Sequence, residues 1–259
     1  MRTFKLVLAY DGTAYAGWQT QVGVRTLQAT LEGVIEKITG QTVRTLASGR
    51  TDAGVHALGQ VVGFQAQTDL TPYVLQRAFN AELPRDMAVL SIAETHAGFH
   101  AMRDSLRKRY RYLIHDGPVR DVLLRQYCWH FPYGRLNVEA MQRAAKALVG
   151  KHDFSSFQTS GSPRRTSVRT VFELSIQRGR AGGADLVTPD VVMPDFITLE
   201  IEADGFLYNM VRAIVGTLVE VGRGTRDEHW PEAVLRACDR RCAGGTAPPQ
   251  GLFLVRVEY

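Results

Sequence analysis

The sequence predicts an α+β protein built from two halves, each ordered strand, helix, strand, strand, helix, strand, and three observations lead there. Hydrophobic spacing switches repeatedly between a period of two and a period near 3.6. The order of elements that results appears once in about the first hundred residues and again in the remainder. At 259 residues, with 45% hydrophobic and 22% charged positions, the chain can bury two cores of ordinary size. That order is the split β-α-β signature. The expected architecture is therefore two ferredoxin-like (β-α-β-β-α-β) halves, residues 1–98 and 99–259, whose mainly antiparallel sheets join around a central basic cleft.

In the first half, Phe4 to Tyr10 alternates as a strand, and Asp11-Gly12-Thr13 turns it into a loop carrying Tyr15, Trp18 and Gln19, aromatics expected to pack at the edge of the core. Leu27, Leu31, Val34, Ile35 and Ile38 recur at helical spacing between Thr26 and Thr39, with Gly40 as the stop. Two β-prone runs follow, residues 42–47 and 60–64, separated by the segment Ser48 to Gly59. Thr71-Pro72 opens a second helix, with threonine as cap and proline in the first turn, expected to carry Val74, Leu75, Ala78 and Phe79 inward. Met87 to Ala93 reads as the closing strand.

In the second half, Arg109 to His115 forms a strand on which Tyr110 and Tyr112 share one face and Arg109 and Arg111 the other. Asn137 caps a helix ending at Gly150, Val168 to Gln177 and Phe196 to Ala203 alternate as strands, and Phe206 to Val221 is an apolar helix. A short helix from Pro231 to Asp239 and a strand from Leu252 to Tyr259 complete the order. The Gly- and Pro-rich segment Arg178 to Asp195 reads as a surface hairpin excursion without chemistry.

Composition narrows the function. No apolar run approaches the roughly 20 residues of a membrane helix, and Met1 to Leu6 runs straight into a strand without the apolar core of a signal peptide, so the expected compartment is the cytoplasm. Cys128, Cys238 and Cys242 are odd in number and lack ligand spacing, which points to buried reduced thiols rather than a disulfide frame or a zinc site. A net charge of +5 favours a polyanionic partner such as nucleic acid. Arginine outnumbers lysine, which suits forked phosphate contacts and equally fits a genomic base bias.

The chemistry concentrates in Ser48-Gly-Arg-Thr-Asp-Ala-Gly-Val-His-Ala-Leu-Gly59, a loop between strands. Glycines at 49, 54 and 59 permit positive φ or close backbone approach, leaving room for a bulky ligand beside Asp52. If the loop enters extended, Arg50 and Asp52 fall on one face. Two readings fit: a site in which Arg50 holds a carboxylate or grips phosphate, or an Asx-turn with a local ion pair. The Tyr110 strand also has two readings, a solvated basic face over core tyrosines or an RNA surface that stacks a base and holds phosphate. Arg212, the basic residue of a largely apolar helix, either snorkels to solvent or forks onto a carboxylate, with Asp52 the leading candidate.

These residues resemble the tRNA pseudouridine synthase A family. The resemblance rests on Tyr10-Asp11-Gly12-Thr13 with Gly17-Trp18-Gln19, on Gly49-Arg-Thr-Asp-Ala-Gly-Val-His-Ala57, and on Asn80-Ala-Glu-Leu-Pro84. It continues through Phe99-His-Ala101, Lys108-Arg-Tyr-Arg-Tyr112, His152-Asp-Phe-Ser-Ser-Phe157, Phe206-Leu-Tyr-Asn-Met-Val-Arg212 and Gly251-Leu-Phe-Leu-Val255, so it spans nearly the whole chain. It implies that Asp52 is the catalytic aspartate, that Tyr110 lies against the target uracil, that Arg212 pairs with Asp52 and that Arg50 handles substrate. The first half would then carry the aspartate loop, and the second the tyrosine and the pairing arginine. It further implies isomerisation of uridine to pseudouridine at positions 38, 39 and 40 in the anticodon arm of tRNA, by a homodimer that uses neither metal nor organic cofactor.

Such a reaction breaks the bond from ribose to uracil N1, turns the base and joins C5 to the same sugar carbon. An ionised carboxylate can attack that carbon or stabilise its developing charge. The base must first leave its stack, and a tyrosine can hold it and supply a proton-transfer group. Two features depart from the family pattern: the run His100-Ala-Met-Arg103 has its charge one place late, which on a strand would turn it to the other face, and the Arg178 to Asp195 segment is long. Two other functions compete, an RNA-binding module without chemistry and a nucleoside hydrolase. The first leaves the Asp52 loop unexplained, and the second lacks an evident second carboxylate.

Overall fold

A computed structural model describes residues 1–159, 166–180 and 192–259. The chain divides into two compact units, Met1–Leu106 with Phe253–Tyr259, and Arg107–Leu252.

The first unit contains β1 (Arg2–Tyr10), α1 (Leu27–Thr39), β2 (Leu46–Ala47), β3 (His56–Ala66), α2 (Pro72–Glu82) and β4 (Met87–Thr95). β1 lies between β4 and β3, antiparallel to both, and β2 pairs antiparallel with β3. Alternation decides the faces. Phe4, Leu6, Leu8 and Tyr10 turn into the core, and in register Phe4 meets Phe64, their rings stacked 5.2 Å apart. Both helices start as expected: Thr26 accepts from Ala29 N–H, and Thr71 accepts from Val74 N–H ahead of Pro72.

The second unit contains β5 (Arg107–His115), β6 (Trp129–His130), α3 (Val138–Ala145), β7 (Gly150–Asp153), β8 (Val168–Arg180), β9 (Val192–Ala203), α4 (Met210–Gly222) and α5 (Trp230–Ala237). Its strands run β5-β9-β8-β7 with antiparallel neighbours, and β6 lies parallel on β5. α4 is buried along nearly its whole length, as its apolar sequence requires. The chain is thus α+β with mainly antiparallel pairing, and no helix among the described residues is long and apolar enough to cross a membrane.

Several elements differ from the sequence reading, each for a local reason. The run 42–47 is strand only at Leu46–Ala47, because the backbone of Thr45 is taken by α1: its N–H donates to Glu32 Oε1, and its carbonyl accepts from Gln28 Nε2. α4 begins at Met210 rather than Phe206, since Asn209 stands at φ 60°, outside the right-handed helical region. Val74 is exposed, leaving Leu75 and Phe79 as the buried face of α2. Only Cys128 is a buried thiol; Cys238 and Cys242 are exposed. The expected excursion from Arg178 is still strand at Arg178–Arg180, and Arg178 forks onto Asp116 at 2.7 and 2.8 Å. Pro194 and Asp195 belong to β9, and residues 181–191 of that segment lie outside the described residues. The last strand, β10 (Leu252–Glu258), groups with the first unit rather than the second half, with Phe253 and Leu254 in parallel register against His56 and Ala57.

Candidate active site

In the first unit Asp52 opens a tight turn. Val55 N–H donates to Asp52 O at 3.1 Å, and Gly54 takes φ 75°, a conformation that favours glycine at this place in a turn. The turn rests directly on the loop after β1. Trp18 N–H donates to Thr51 O at 2.9 Å, and Gly12 lies so close that a Cβ there would stand 2.0 Å from Val55 O. Only glycine fits at position 12.

Beneath the turn runs a chain of neutral hydrogen bonds. Ser48 Oγ donates to Gln60 Oε1 at 2.7 Å, while Gln60 Nε2 donates to Gly49 O at 2.8 Å and reaches the Tyr10 oxygen at 3.5 Å. The Tyr10 and Thr51 hydroxyls share a hydrogen bond of 2.8 Å. Ser48, Gln60, Tyr10 and Thr51 are all buried. Burial pushes the Tyr10 phenol up to about 12, against the opposing effect of its hydrogen bonds to Thr51 and Gln60, so the group stays neutral across the physiological range. Such bonds contribute about 1 kcal/mol each, and more is lost when one partner is left unpaired inside.

His56 closes the turn, stacked 4.8 Å from Phe253 and almost fully buried. Gly12 N–H donates to its Nδ1, which places the ring proton of the neutral form on Nε2. A proton on Nδ1 would instead face the Asp11 carboxylate, 3.1 Å away. Arg50 is exposed, and Asp52 is half-buried one residue beyond the clamped Thr51.

In the second unit Tyr110 sits on β5 opposite Ile201, nearly buried, with its ring edge-on to Phe206 at 5.0 Å. Tyr112 shares its face and donates to Pro248 O at 2.7 Å, and burial holds its phenol well above the usual range despite the nearby Arg212 charge. The arginines turn to the opposite face, as alternation requires. There they meet carboxylates: Arg109 donates to Glu202 at 3.0 Å, Glu200 at 2.9 Å and Glu173 at 2.5 Å, and Arg111 donates to Glu200 at 2.8 Å. Burial works against the Arg109 charge, but the three glutamates outweigh it and raise its pKa. The Glu200 carboxyl, penalised by burial, is nonetheless drawn below its ordinary range by Arg111 and Arg109. This face is a ladder of alternating charge in place of the solvated basic face or phosphate-holding surface weighed from the sequence.

Arg212 lies in the first turn of α4, half-buried. Its Nε donates to Ala247 O at 2.7 Å and its Nη1 to Asn209 Oδ1 at 2.9 Å. Two bonds on adjacent nitrogens fix the plane of the guanidinium. Asp52 and Arg50 thus belong to the first unit, Tyr110 and Arg212 to the second. Among the described residues no group of three or more His, Cys, Asp or Glu side chains could hold a metal ion.

The supporting residues escaped the sequence reading, although two signals were present. Tyr10 ends a strand whose buried face is otherwise Phe4, Leu6 and Leu8, so its hydroxyl needs an internal partner. Glu200 and Glu202 repeat at the same spacing as Arg109 and Arg111, the pattern of a cross-strand charge ladder. The shift to Met102 and Arg103 falls in a turn and not on a strand: Arg103 is exposed and donates to Asp104 Oδ1 and Gly98 O, both at 2.8 Å.

Comparison with known proteins identifies the family. The family model described as tRNA pseudouridine synthase matches residues 6–102 and 144–259. The tRNA pseudouridine synthase A of Thermoanaerobacter sp. (strain X514) is 44% identical over 259 residues, covering 100% of both chains. That of Geobacillus sp. (strain WCH70) is 42% identical over 100% of this chain and 98% of its own, and that of Pseudothermotoga lettingae 39% identical over 100% of both. With more than half of the chain inside the family model and relatives of this identity along its full length, the chain belongs to the tRNA pseudouridine synthase A family.

Proposed function

We propose that this chain isomerises uridine to pseudouridine at positions 38, 39 and 40 in the anticodon stem-loop of tRNAs, acting as a cytoplasmic homodimer. The observation that carries the reading is the end-to-end match to relatives named tRNA pseudouridine synthase A. Asp52 attacks the ribose carbon or stabilises the charge that develops there, Tyr110 lies against the uracil, Arg212 orients Asp52 and keeps it ionised, and Arg50 handles substrate. The first domain carries the aspartate loop; the second carries the tyrosine and the pairing arginine.

The steps balance without an added reactant. The bond between C1′ and N1 breaks, the base turns in place, C5 bonds to C1′, and the proton that leaves C5 is matched by one gained at N1. A single half-buried carboxylate on a turn with a fixed backbone suits the first step, because its aim is set before the base arrives. Support comes from the buried hydrogen bonds among Ser48, Gln60, Tyr10 and Thr51, which hold the backbone that leads into Asp52.

Incubation with tRNA carrying tritium on uridine C5 tests the reading. Release of tritium to water in step with pseudouridine at the three positions is expected. Free uracil would mark a hydrolase, and tight binding with neither product a binding module; both results would overturn it.

A further inference from the structure

Asn209 stands out on two counts. Among the described residues only Asn209 and Cys238 hold positive φ without being glycine, and Asn209, at φ 60° and ψ 7°, does so immediately before α4. Asparagine in the residue before a helix ordinarily turns its side chain onto the helix N–H groups. Here it makes no such cap. Its amide is committed elsewhere: Oδ1 accepts from Arg212 Nη1 at 2.9 Å, and Nδ2 donates to Thr159 Oγ1 at 3.1 Å. The orientation of the amide is unambiguous, since a guanidinium can only donate.

A residue that accepts an unfavourable backbone conformation and forgoes a helix cap in order to hold a neighbouring side chain is spending stability on position. We infer that Asn209 is a positioning residue for the isomerisation, acting through Arg212: its amide, braced by Thr159, sets the guanidinium plane that Ala247 O fixes from the other side. The inference rests on the reading in which Arg212 orients Asp52. The backbone bend follows from the same need, because the left-handed turn lets a residue three places before Arg212 fold its amide back over the first helical turn.

Two substitutions separate positioning from structure. Asn209→Gly removes the amide and relaxes the backbone, whereas Asn209→Ala removes the amide and keeps the strain. A positioning role predicts that both lose about 100-fold in kcat with KM for tRNA within about twofold, while only Asn209→Ala melts at lower temperature. Thr159→Val, which removes the brace and leaves the backbone alone, should give a smaller loss of kcat in the same direction. If Asn209→Gly turns over like the unaltered protein, or if kcat falls only in step with the melting temperature across the three variants, the inference fails. Arg212→Lys serves as the control for the reading beneath it. Unaltered kcat in Arg212→Lys sinks the role of Arg212 itself; a crippled Arg212→Lys beside a fully active Asn209→Gly sinks only the role of Asn209.

Discussion

Asp52 in the first unit and Tyr110 in the second rest on frames of opposite kind. Under Asp52 the frame is neutral, a buried chain from Ser48 through Gln60 and Tyr10 to Thr51 together with backbone contacts to the loop after β1. Behind Tyr110 the frame is ionic, with Arg109 and Arg111 laced to Glu173, Glu200 and Glu202. The difference follows from what each unit has to present. A reactive carboxylate is best served when the buried groups that hold its turn carry no anion, which would oppose its ionised form. An aromatic ring on a strand has no such conflict, so the far side of its strand can carry full charges, provided they cancel locally.

The largest expected effect tests whether Asp52 alone carries the chemistry. Asp52→Asn keeps the size of the side chain and removes the charge. Pseudouridine formation should fall by about 10⁴-fold or more in single-turnover assays, with tRNA affinity nearly unchanged because binding rests on many phosphate contacts. Appreciable turnover in Asp52→Asn would mean that the neutral frame supports something other than the reactive group.

Next in size is Tyr110→Phe. It preserves the ring that meets Phe206 edge-on and removes only the hydroxyl. A role in proton transfer predicts a fall in kcat of about 100-fold with little change in melting temperature. Ordinary turnover would reduce Tyr110 to a stacking surface, and the contrast would then lie between a chemical unit and a binding unit.

The order of elements in the first unit was legible because β1, α1 and α2 carry clear periodicity and their caps stand where sequence places caps, at Thr26 and Thr71. The candidate residues were legible because Asp52 lies between glycines in a loop and Arg212 in an apolar helix. What stayed hidden depends on contacts between segments distant in sequence. Nothing local at residues 42–45 says that Glu32 and Gln28 will take the backbone bonds of Thr45, and nothing local at Leu252–Glu258 says that the strand will return to lie along β3. The same holds for the arginines of β5. Their alternation was readable, yet whether they face phosphate or glutamate was decided by the register of β5 on β9, which pairs Arg109 with Glu202 and Arg111 with Glu200.

Tyr10→Phe probes the neutral frame directly. It leaves Thr51 Oγ1 without its buried partner and should cost about 1–2 kcal/mol in denaturant unfolding, together with about a tenfold fall in kcat as the Asp52 turn loosens. Because the Tyr10 phenol titrates only near 12, both effects should be constant from about pH 5 to pH 9. Loss of stability without loss of kcat would show that the frame holds the fold and not the aim.

The smallest effect belongs to the ionic frame, and its dependence on pH sets it apart from the neutral one. Glu200→Gln removes the carboxylate shared by Arg109 and Arg111 while Glu173 and Glu202 remain on Arg109, so at neutral pH the cost should be about 1 kcal/mol, with pseudouridine formation unaltered. The Glu200 carboxyl is held below its ordinary range, hence the folded state binds a proton less readily than the unfolded chain does. Its contribution is therefore complete above the ordinary carboxylate range and is lost as pH falls through the lower folded value. The difference in unfolding free energy between the unaltered protein and Glu200→Gln should accordingly shrink on acidification, where that for Tyr10→Phe stays level. A Glu200→Gln cost that persisted below the carboxylate range would mean that the ladder contributes by packing its side-chain stems and not by charge, and the contrast between the two frames would reduce to one of residue type.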